Sequence, residues 1–165
     1  MAKKKSSKRT YREFKQGIFK PVNHKKCLNK TDVVYRSFLE ARLMKLLDKN
    51  SNVIEWSSEQ VIIPYKHPQK SKMEGKPVYA RYFVDFFIHL KVGDKSVKLI
   101  AEVKPEKQTS KPTLHGNKKQ STIIYENLQW AINSAKWEAA KKYAEQKNME
   151  FMIITEKTID MFEGK

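Results

Sequence analysis

The spacing of apolar residues along the chain predicts two long helices. After Thr31 and Asp32, which have the chemistry of helix N-caps, the stretch VVYRSFLEARLMKLLD repeats apolar residues at helical spacing. The apolar face of this helix is expected to contain Tyr35, Leu39, Leu43, Leu46 and Leu47. A second helix is predicted from about Ser121 to Lys147, and its core-facing residues are expected to be Ile124, Leu128, Ala131, Ala135 and Tyr143.

Shorter apolar runs predict strands. VIEW, QVIIPY and EFMIIT are such runs, and two longer ones extend from about Tyr79 to Val92 and from Val97 to Lys104. The turn sequence GDK joins the two longer strands, whereas KHPQKSKMEGKPV indicates a polar hairpin or loop. The order is a helix, a set of mainly antiparallel strands, a long helix and a last strand. This order predicts an α/β domain with a mixed sheet covered by helices.

Two of these strands contain ionisable residues inside apolar runs. RYFVDFFIHL carries Asp85 at its centre, and KLIAEVKP carries Glu102 and Lys104. A buried carboxylate without a partner is costly, so such residues are usually paired, metal-bound or protonated. Strand alternation puts Glu102 and Lys104 on one face, with Leu99 and Val103 on the other. In an antiparallel hairpin about the GDK turn, Asp85 and Glu102 face each other across the sheet, as a metal site would require.

This set of residues has the chemistry of a magnesium site. Asp85 and Glu102 supply hard carboxylate oxygens, which suit Mg²⁺, and Mn²⁺ can substitute for it. Val103 can add its backbone carbonyl, because its side chain points to the opposite face. Lys104 can hold or polarise the attacking water, so the sequence predicts metal-assisted hydrolysis of a phosphodiester bond.

Glu40 lies at the edge of the apolar face of the first predicted helix, one turn after Arg36. From this position it would complete the site, either by binding a second metal ion or by orienting the bound water. The simpler alternative is a solvated glutamate or an ion pair with Arg36 at i,i+4 spacing. That alternative is favoured for Glu40 alone, whereas the nearby strand acids favour a role in the site.

The 165-residue chain has a formal net charge of +16, and the excess is uneven. Residues 1–30 contain eleven Lys or Arg against one acid, Glu13. We expect residues 1–16 to form a flexible basic arm and residues 17–165 a single domain. The arm fits DNA or RNA, although a solubility or localisation tail would have the same composition. The sequence has no glycine-aromatic RNA motif and no apolar run long enough for a membrane helix, and its single cysteine fits a reducing cytosol.

The pattern of Asp85 followed by Glu102, Val103 and Lys104 resembles the PD-(D/E)xK nuclease superfamily, which includes restriction endonucleases and transposon-end nucleases. The segments YRSFLE, WSSEQVIIPY, RYFVDF and EVKPEKQT, with the lead-in GIFKPVNHKK, resemble the head completion nucleases of T-even-like tailed bacteriophages in order and spacing. This likeness covers about residues 15–160. It implies a restriction-endonuclease-like fold and a magnesium-dependent DNA nuclease that acts in head completion and head–tail joining, where it would trim packaged DNA.

The same resemblance implies roles for single residues. Asp85 and Glu102 would be metal ligands, Lys104 the water-positioning lysine and Glu40 the acid contributed by the helix. One departure is Val84, where the superfamily usually has a proline that shapes the backbone without taking part in the chemistry. The implied partners are double-stranded DNA and proteins of the phage head, portal or neck, with no membrane. The implied location is the host cytoplasm during assembly, or the virion itself.

Other residues are weaker candidates. Arg36, Arg81, Gln108 and Lys111 are candidates for DNA contacts, and Glu59 is better explained as a polar residue at a strand edge than as a ligand. An alternative function is a non-catalytic DNA-binding structural protein of the phage head or neck that keeps a relict nuclease fold. Endonuclease and exonuclease action are both compatible with the sequence.

Overall fold

The computed structural model describes residues 16–113 and 118–164, so nearly all of the predicted basic arm lies outside the described residues. The strands are β1 (Gly17–Phe19), β2 (Val33–Tyr35), β3 (Val53–Ser58), β4 (Ile62–Lys66), β5 (Tyr79–Phe83), β6 (Phe86–Val92), β7 (Lys95–Val103) and β8 (Glu150–Ile154). The α-helices are α1 (Phe38–Lys49), α2 (Pro68–Glu74), α3 (Gln120–Gln146) and α4 (Glu156–Glu163), and a short 3-10 turn covers Glu106–Gln108. Among the described residues, no helix combines the length and the apolar character needed to cross a bilayer.

A four-stranded sheet forms the centre of the domain, with the strand order β3-β6-β7-β8. Neighbouring strands in this sheet are antiparallel except for β7 and β8, which are parallel and connected through α3. The predicted turn between β6 and β7 is present, and Gly93 adopts the left-handed conformation there, with φ at +61°. The expected α/β fold with a mixed, helix-flanked sheet is therefore confirmed.

Helices cover both faces of this sheet and form two apolar layers. The first layer, under α1 and α4, includes Leu43, Met44, Leu47, Trp56, Phe86, Ile88, Leu99, Ala101, Val103, Ile154 and Ile159. The second layer, under α3, includes Ile63, Tyr65, Tyr82, Val84, Ile100, Ala140 and Ala144. Leu99 and Val103 thus belong to one layer and Ile100 to the other, which confirms the alternation predicted for this strand.

Helix α3 has the predicted length, but its buried face is only partly as expected. Ala135 and Tyr143 pack against the second layer, as predicted. Ile124 and Ala131 are exposed, so the prediction was wrong for these two residues. The buried residues of α3, Trp137, Ala140 and Ala144, all lie in its C-terminal half, whereas Ile124 and Tyr125 near its start are exposed.

The segment predicted as one strand from Tyr79 to Val92 is two strands in two different sheets. β5 pairs with β4, whereas β6 pairs with β3 and β7. At the junction, three residues between β3 and β4, residues 59–61, lie opposite only two residues between β5 and β6, Val84 and Asp85. One extra residue on one side is the arrangement of a β-bulge. Glu59 adopts φ of +55°, its N–H donates to the Asp85 carbonyl at 3.1 Å, and the Val84 N–H donates to Val61 at 2.9 Å. This bend sets the position of Asp85.

Helix α1 begins later than the sequence predicted. Thr31 and Asp32 do not cap it, because the following valines pair with β1 and form β2 instead. β-branched residues favour such an extended conformation. The N-cap is Ser37, whose Oγ accepts the Glu40 N–H at 3.2 Å.

Residues predicted to form a polar hairpin or loop contain helix α2. His67 is the N-cap, and its Nδ1 accepts the Lys70 N–H at 3.3 Å. Pro68 occupies the first helical turn, and Gly75, at φ of +64°, ends the helix. Proline at the start and glycine at the end of a segment favour a short helix, so the prediction of a loop was wrong.

The positive φ of Glu59 in the bulge allows backbone strain to be tested by substitution. Replacing Glu59 with Gly or with Val removes the same carboxylate, but only Gly adopts a positive φ without a steric cost. We expect Glu59→Gly to be more stable than Glu59→Val by at least about 1 kcal/mol in denaturant unfolding. Equal stability of the two variants would show that the left-handed conformation at this residue carries no strain.

Candidate active site

The hairpin of β6 and β7 brings the two strand acids together. Phe86 pairs with Ala101, so the register continues with Asp85 opposite Glu102. The Val103 N–H donates to Oδ2 of Asp85 at 2.8 Å and ties this residue to the strand that carries Glu102. Glu102 is only 3% exposed, and Asp85 is half-buried. The two carboxylates lie where the strand register predicted, and their roles stay predictions.

Both carboxylate oxygens of Glu102 have partners. Lys104 Nζ lies 2.8 Å from Oε1, and the Tyr82 hydroxyl donates to Oε2 at 2.5 Å. Lys104 shares a face with Glu102, as alternation predicted, and its backbone N–H donates to the Ile154 carbonyl in β8 at 3.0 Å. Tyr82 comes from β5, which belongs to a different sheet. A cation and a hydroxyl therefore offset the cost of burying this charge.

A second lysine approaches the site from α3. Lys136 Nζ lies 5.3 Å from the ring centroid of Tyr82 and 5.8 Å from that of Tyr65. The two rings are 6.5 Å apart, and cations at such distances are attracted to the faces of aromatic rings. The sequence pattern did not point to Lys136 or Tyr82 as residues of the site. A lysine within the apolar stripe between Ile132 and Ala140 is a detectable signal for Lys136, whereas Tyr82 reaches Glu102 only through the bend at the bulge.

The surroundings of the site raise the pKa values of Asp85, Lys104 and Tyr82, with a different consequence for Asp85 than for the other two. Burial, followed by the negative charge of Glu102, raises the pKa of Asp85 well above its ordinary value, and Lys104 opposes this shift only in part. Burial lowers the pKa of Lys104, but the neighbouring carboxylates, above all Glu102, raise it by more. Burial, and then Glu102, also raises the pKa of Tyr82. Lys104 and Tyr82 therefore keep their protons at neutral pH, whereas the ionised form of Asp85 is disfavoured.

Glu40 lies close enough to influence the pKa of Asp85, but its carboxylate caps its own helix. Oε2 accepts the Arg36 N–H at 2.7 Å, and Oε1 accepts the Ser37 hydroxyl at 2.8 Å. The ion pair between the side chains of Arg36 and Glu40, the alternative explanation for Glu40, does not form. The Arg36 guanidinium instead binds both carboxylate oxygens of Glu59, at 2.9 and 3.1 Å. The predicted role of Glu40 in catalysis stays a prediction.

The other candidates for DNA contact lie at the surface. Arg81 is exposed, and its guanidinium stacks over the ring of Phe83 at 5.6 Å. Gln108 ends the 3-10 turn that follows β7, and Lys111 lies in the loop after it; both are exposed. These positions leave all three side chains accessible to a polyanion.

The donors at the site fit a magnesium ion in type. Asp85 and Glu102 offer carboxylate oxygens, and Mg²⁺ is commonly bound through one or two carboxylates together with water and substrate phosphate. The raised pKa of Asp85 fits as well, because a bound cation would stabilise its ionised form. Within the described ranges, no three His, Cys, Asp or Glu side chains form a group that could hold a metal ion. The structure thus assembles two of the predicted carboxylates, and Glu40 does not join them as a third.

Replacing Asp85 with Asn should stabilise the metal-free protein at neutral pH. Asn keeps an acceptor for the Val103 N–H and removes a charge that the folded state disfavours. Because the folded-state pKa of this acid is raised, ionisation destabilises the fold above the unfolded-state pKa, and the advantage of Asn disappears below it. Thermal unfolding in EDTA should therefore show a higher Tm for Asp85→Asn at pH 7 and no gain in strong acid. A lower Tm for the variant at pH 7 would contradict this assignment.

The hydroxyl of Tyr82 should contribute measurably to stability. Tyr82→Phe removes a donor from a buried carboxylate, and we expect a loss of about 2 kcal/mol in unfolding free energy. Tyr65→Phe is the matched control, because Tyr65 packs in the same layer and makes no side-chain hydrogen bond with the residues described. Denaturant unfolding of both variants measures the difference. Equal losses would mean that the hydrogen bond to Glu102 adds nothing beyond the general effect of removing a hydroxyl.

Comparison with known proteins identifies the family. The model for the family described as TnsA-like endonuclease N terminal matches residues 50–156, a range that contains Asp85, Glu102 and Lys104 but not Glu40. The chain is also 35% identical, over 130 residues, to the head completion nuclease of Enterobacteria phage T4. That alignment covers 75% of this chain and 79% of the phage T4 protein. The chain therefore belongs to the TnsA-like endonuclease family, with a restriction-endonuclease-like fold, and is a relative of the phage head completion nuclease.

Proposed function

We propose that this protein is a magnesium-dependent DNA nuclease that hydrolyses phosphodiester bonds during completion of phage heads. The observation that carries the proposal is the cross-strand pair of Asp85 and Glu102 with a protonated Lys104 beside it. The family, and the name of the phage T4 relative, support the reaction class and the assembly step.

Asp85, Glu102 and the backbone carbonyl of Val103 would hold Mg²⁺, and Mn²⁺ could replace it. The bound metal ion would supply Lewis acidity toward the scissile phosphate and lower the pKa of a coordinated water. Asp85 would bind the metal ion in its ionised form, which its surroundings disfavour until a cation is present. This coupling makes the affinity for the metal ion increase with pH.

Lys104 would act as a fixed positive charge. Because its pKa is raised, it does not accept a proton from water at neutral pH, and instead it stabilises negative charge and orients the nucleophile. Tyr82 and Lys104 together fix the carboxylate plane of Glu102. Glu40 would act from the start of α1, by orienting water or by binding a second metal ion, and either role requires its carboxylate to leave the helix cap.

The substrate we propose is double-stranded DNA, trimmed after packaging and before heads join tails. The net charge of +16 supports binding through phosphates, and Arg36, Arg81, Gln108 and Lys111 are candidate contacts. Proteins of the head, portal or neck would be its partners in the host cytoplasm during assembly or in the virion.

Cleavage of linear and closed-circular DNA tests the proposal. We expect the purified protein to cut DNA with Mg²⁺ or Mn²⁺ and not with EDTA. Lys104→Ala and Asp85→Ala should each lower the rate by about 100-fold or more. The matched control is Lys98→Ala, which removes the same charge from an exposed position on β7, the strand that ends just before Lys104, and should keep its activity. Loss of closed circles would also establish endonuclease action.

Two results would contradict the nuclease assignment. Full activity in Asp85→Ala would show that this site does not catalyse the cleavage. No cutting under any condition, with DNA still bound and no Mg²⁺ or Mn²⁺ binding in calorimetry, would favour a non-catalytic DNA-binding protein of the head or neck.

A further inference from the structure

A basic groove of about 790 Å³ lies between the two-stranded sheet of β4 and β5, helix α2 and the C-terminal half of α3. Four lysines and one acid line this groove: Lys66, Lys72, Lys76, Lys142 and Glu138. Lys142 pairs with Glu138 at 2.9 Å. Lys66, Lys72 and Lys76 make no salt bridge with any of residues 16–113 or 118–164. Three uncompensated positive charges around one concave surface repel each other and attract a polyanion.

The basic groove is connected to the candidate active site by a row of packed aromatic rings. Tyr65 lines the groove, and its ring packs 6.5 Å from that of Tyr82, which donates to Glu102. Lys136 lies over both rings, at 5.8 and 5.3 Å, and adds positive charge between the groove and the site. The groove and the candidate active site are therefore joined through the packing of these two rings.

We propose that the basic groove binds the sugar-phosphate backbone of duplex DNA on one side of the scissile phosphate. This inference rests on the proposed nuclease function and extends it by naming where the substrate continues beyond the cut. Phosphates would be neutralised by Lys66, Lys72 and Lys76, which form no salt bridge with the described residues, while Glu138, the acid in the groove, is paired with Lys142. Tyr79, also at the groove, is 68% exposed and presents an aromatic face to the sugars.

The chemistry of this groove also indicates how it would recognise DNA. Lysine ammonium groups bind phosphates as point charges and carry no information about base sequence. The helix beside the groove, α2, has only seven residues, which leaves little surface for reading bases in the major groove. The groove would therefore position DNA of any sequence.

Salt-dependent DNA binding tests the groove. The variant Lys72→Gln/Lys76→Gln removes two groove charges, and the matched control Lys91→Gln/Lys95→Gln removes two exposed charges at the β6–β7 turn. Binding of a labelled duplex is measured in EDTA, without cleavage, over a range of salt concentrations. The groove variant should make the negative slope of the logarithm of the DNA-binding constant against the logarithm of salt concentration shallower by about 1.8, since each phosphate contact contributes about 0.9. It should also weaken binding about tenfold or more at low salt. The control should leave the slope nearly unchanged.

Cleavage kinetics complete the test. With Mg²⁺, the groove variant should raise KM while kcat at saturating DNA stays within about twofold of wild type, because its residues do not touch the reacting atoms. If the groove variant and the control behave alike while wild type binds and cuts DNA, the groove inference is overturned and the nuclease function stands. If wild type neither binds nor cuts DNA, both the groove inference and the proposed nuclease function are contradicted.

Discussion

The site depends on how the buried charge of Glu102 is compensated. A carboxylate with 3% exposure cannot rely on water, so the fold must supply partners from its own side chains. The partners come from two directions: Lys104 follows directly after the strand of Glu102, and Tyr82 comes from the two-stranded sheet of β4 and β5. Because Tyr82 also packs against α3, the helix, the two-stranded sheet and the central sheet cannot shift independently without disturbing this carboxylate.

Asp85 complements Glu102 through a different constraint. Its position is set by the backbone, since the bulge at Glu59 lies directly opposite Asp85. The bulge separates the pairing of β3 with β6 from the pairing of β4 with β5. Glu59 is held in its left-handed conformation while its side chain pairs with Arg36. Strained backbone of this kind persists where the surrounding structure over-determines it, and such places are frequently functional. The chain thus gives up some stability at Glu59 and at Asp85, the two places that shape the site.

The sequence alone predicted the parts of this arrangement that depend on local periodicity. The facing of Asp85 and Glu102 follows from strand alternation and from a two-residue turn, and both are present. The sequence could not predict the contact between Tyr82 and Glu102, because this contact depends on the extra residue at positions 59–61, between β3 and β4. The late start of α1 was missed for a similar reason: Val33–Tyr35 is fixed by pairing with β1, a long-range contact that overrides an N-cap pattern. Lys136 could have been found, since a lysine inside an apolar helical stripe requires a partner.

The hydrogen bond from the Lys104 N–H to Ile154 affects the order in which the site is completed. Asp85, Glu102 and Lys104 are all synthesised before the 27-residue helix α3, but β8, which secures the backbone of Lys104, follows that helix. Parallel pairing between β7 and β8 must wait for this crossover, and such non-local contacts form slowly. A nascent chain on the ribosome therefore holds its acids and its lysine without the strand that fixes them. The capacity to cut would arise only when folding closes the sheet, so an incomplete chain would carry the residues of the site without its geometry.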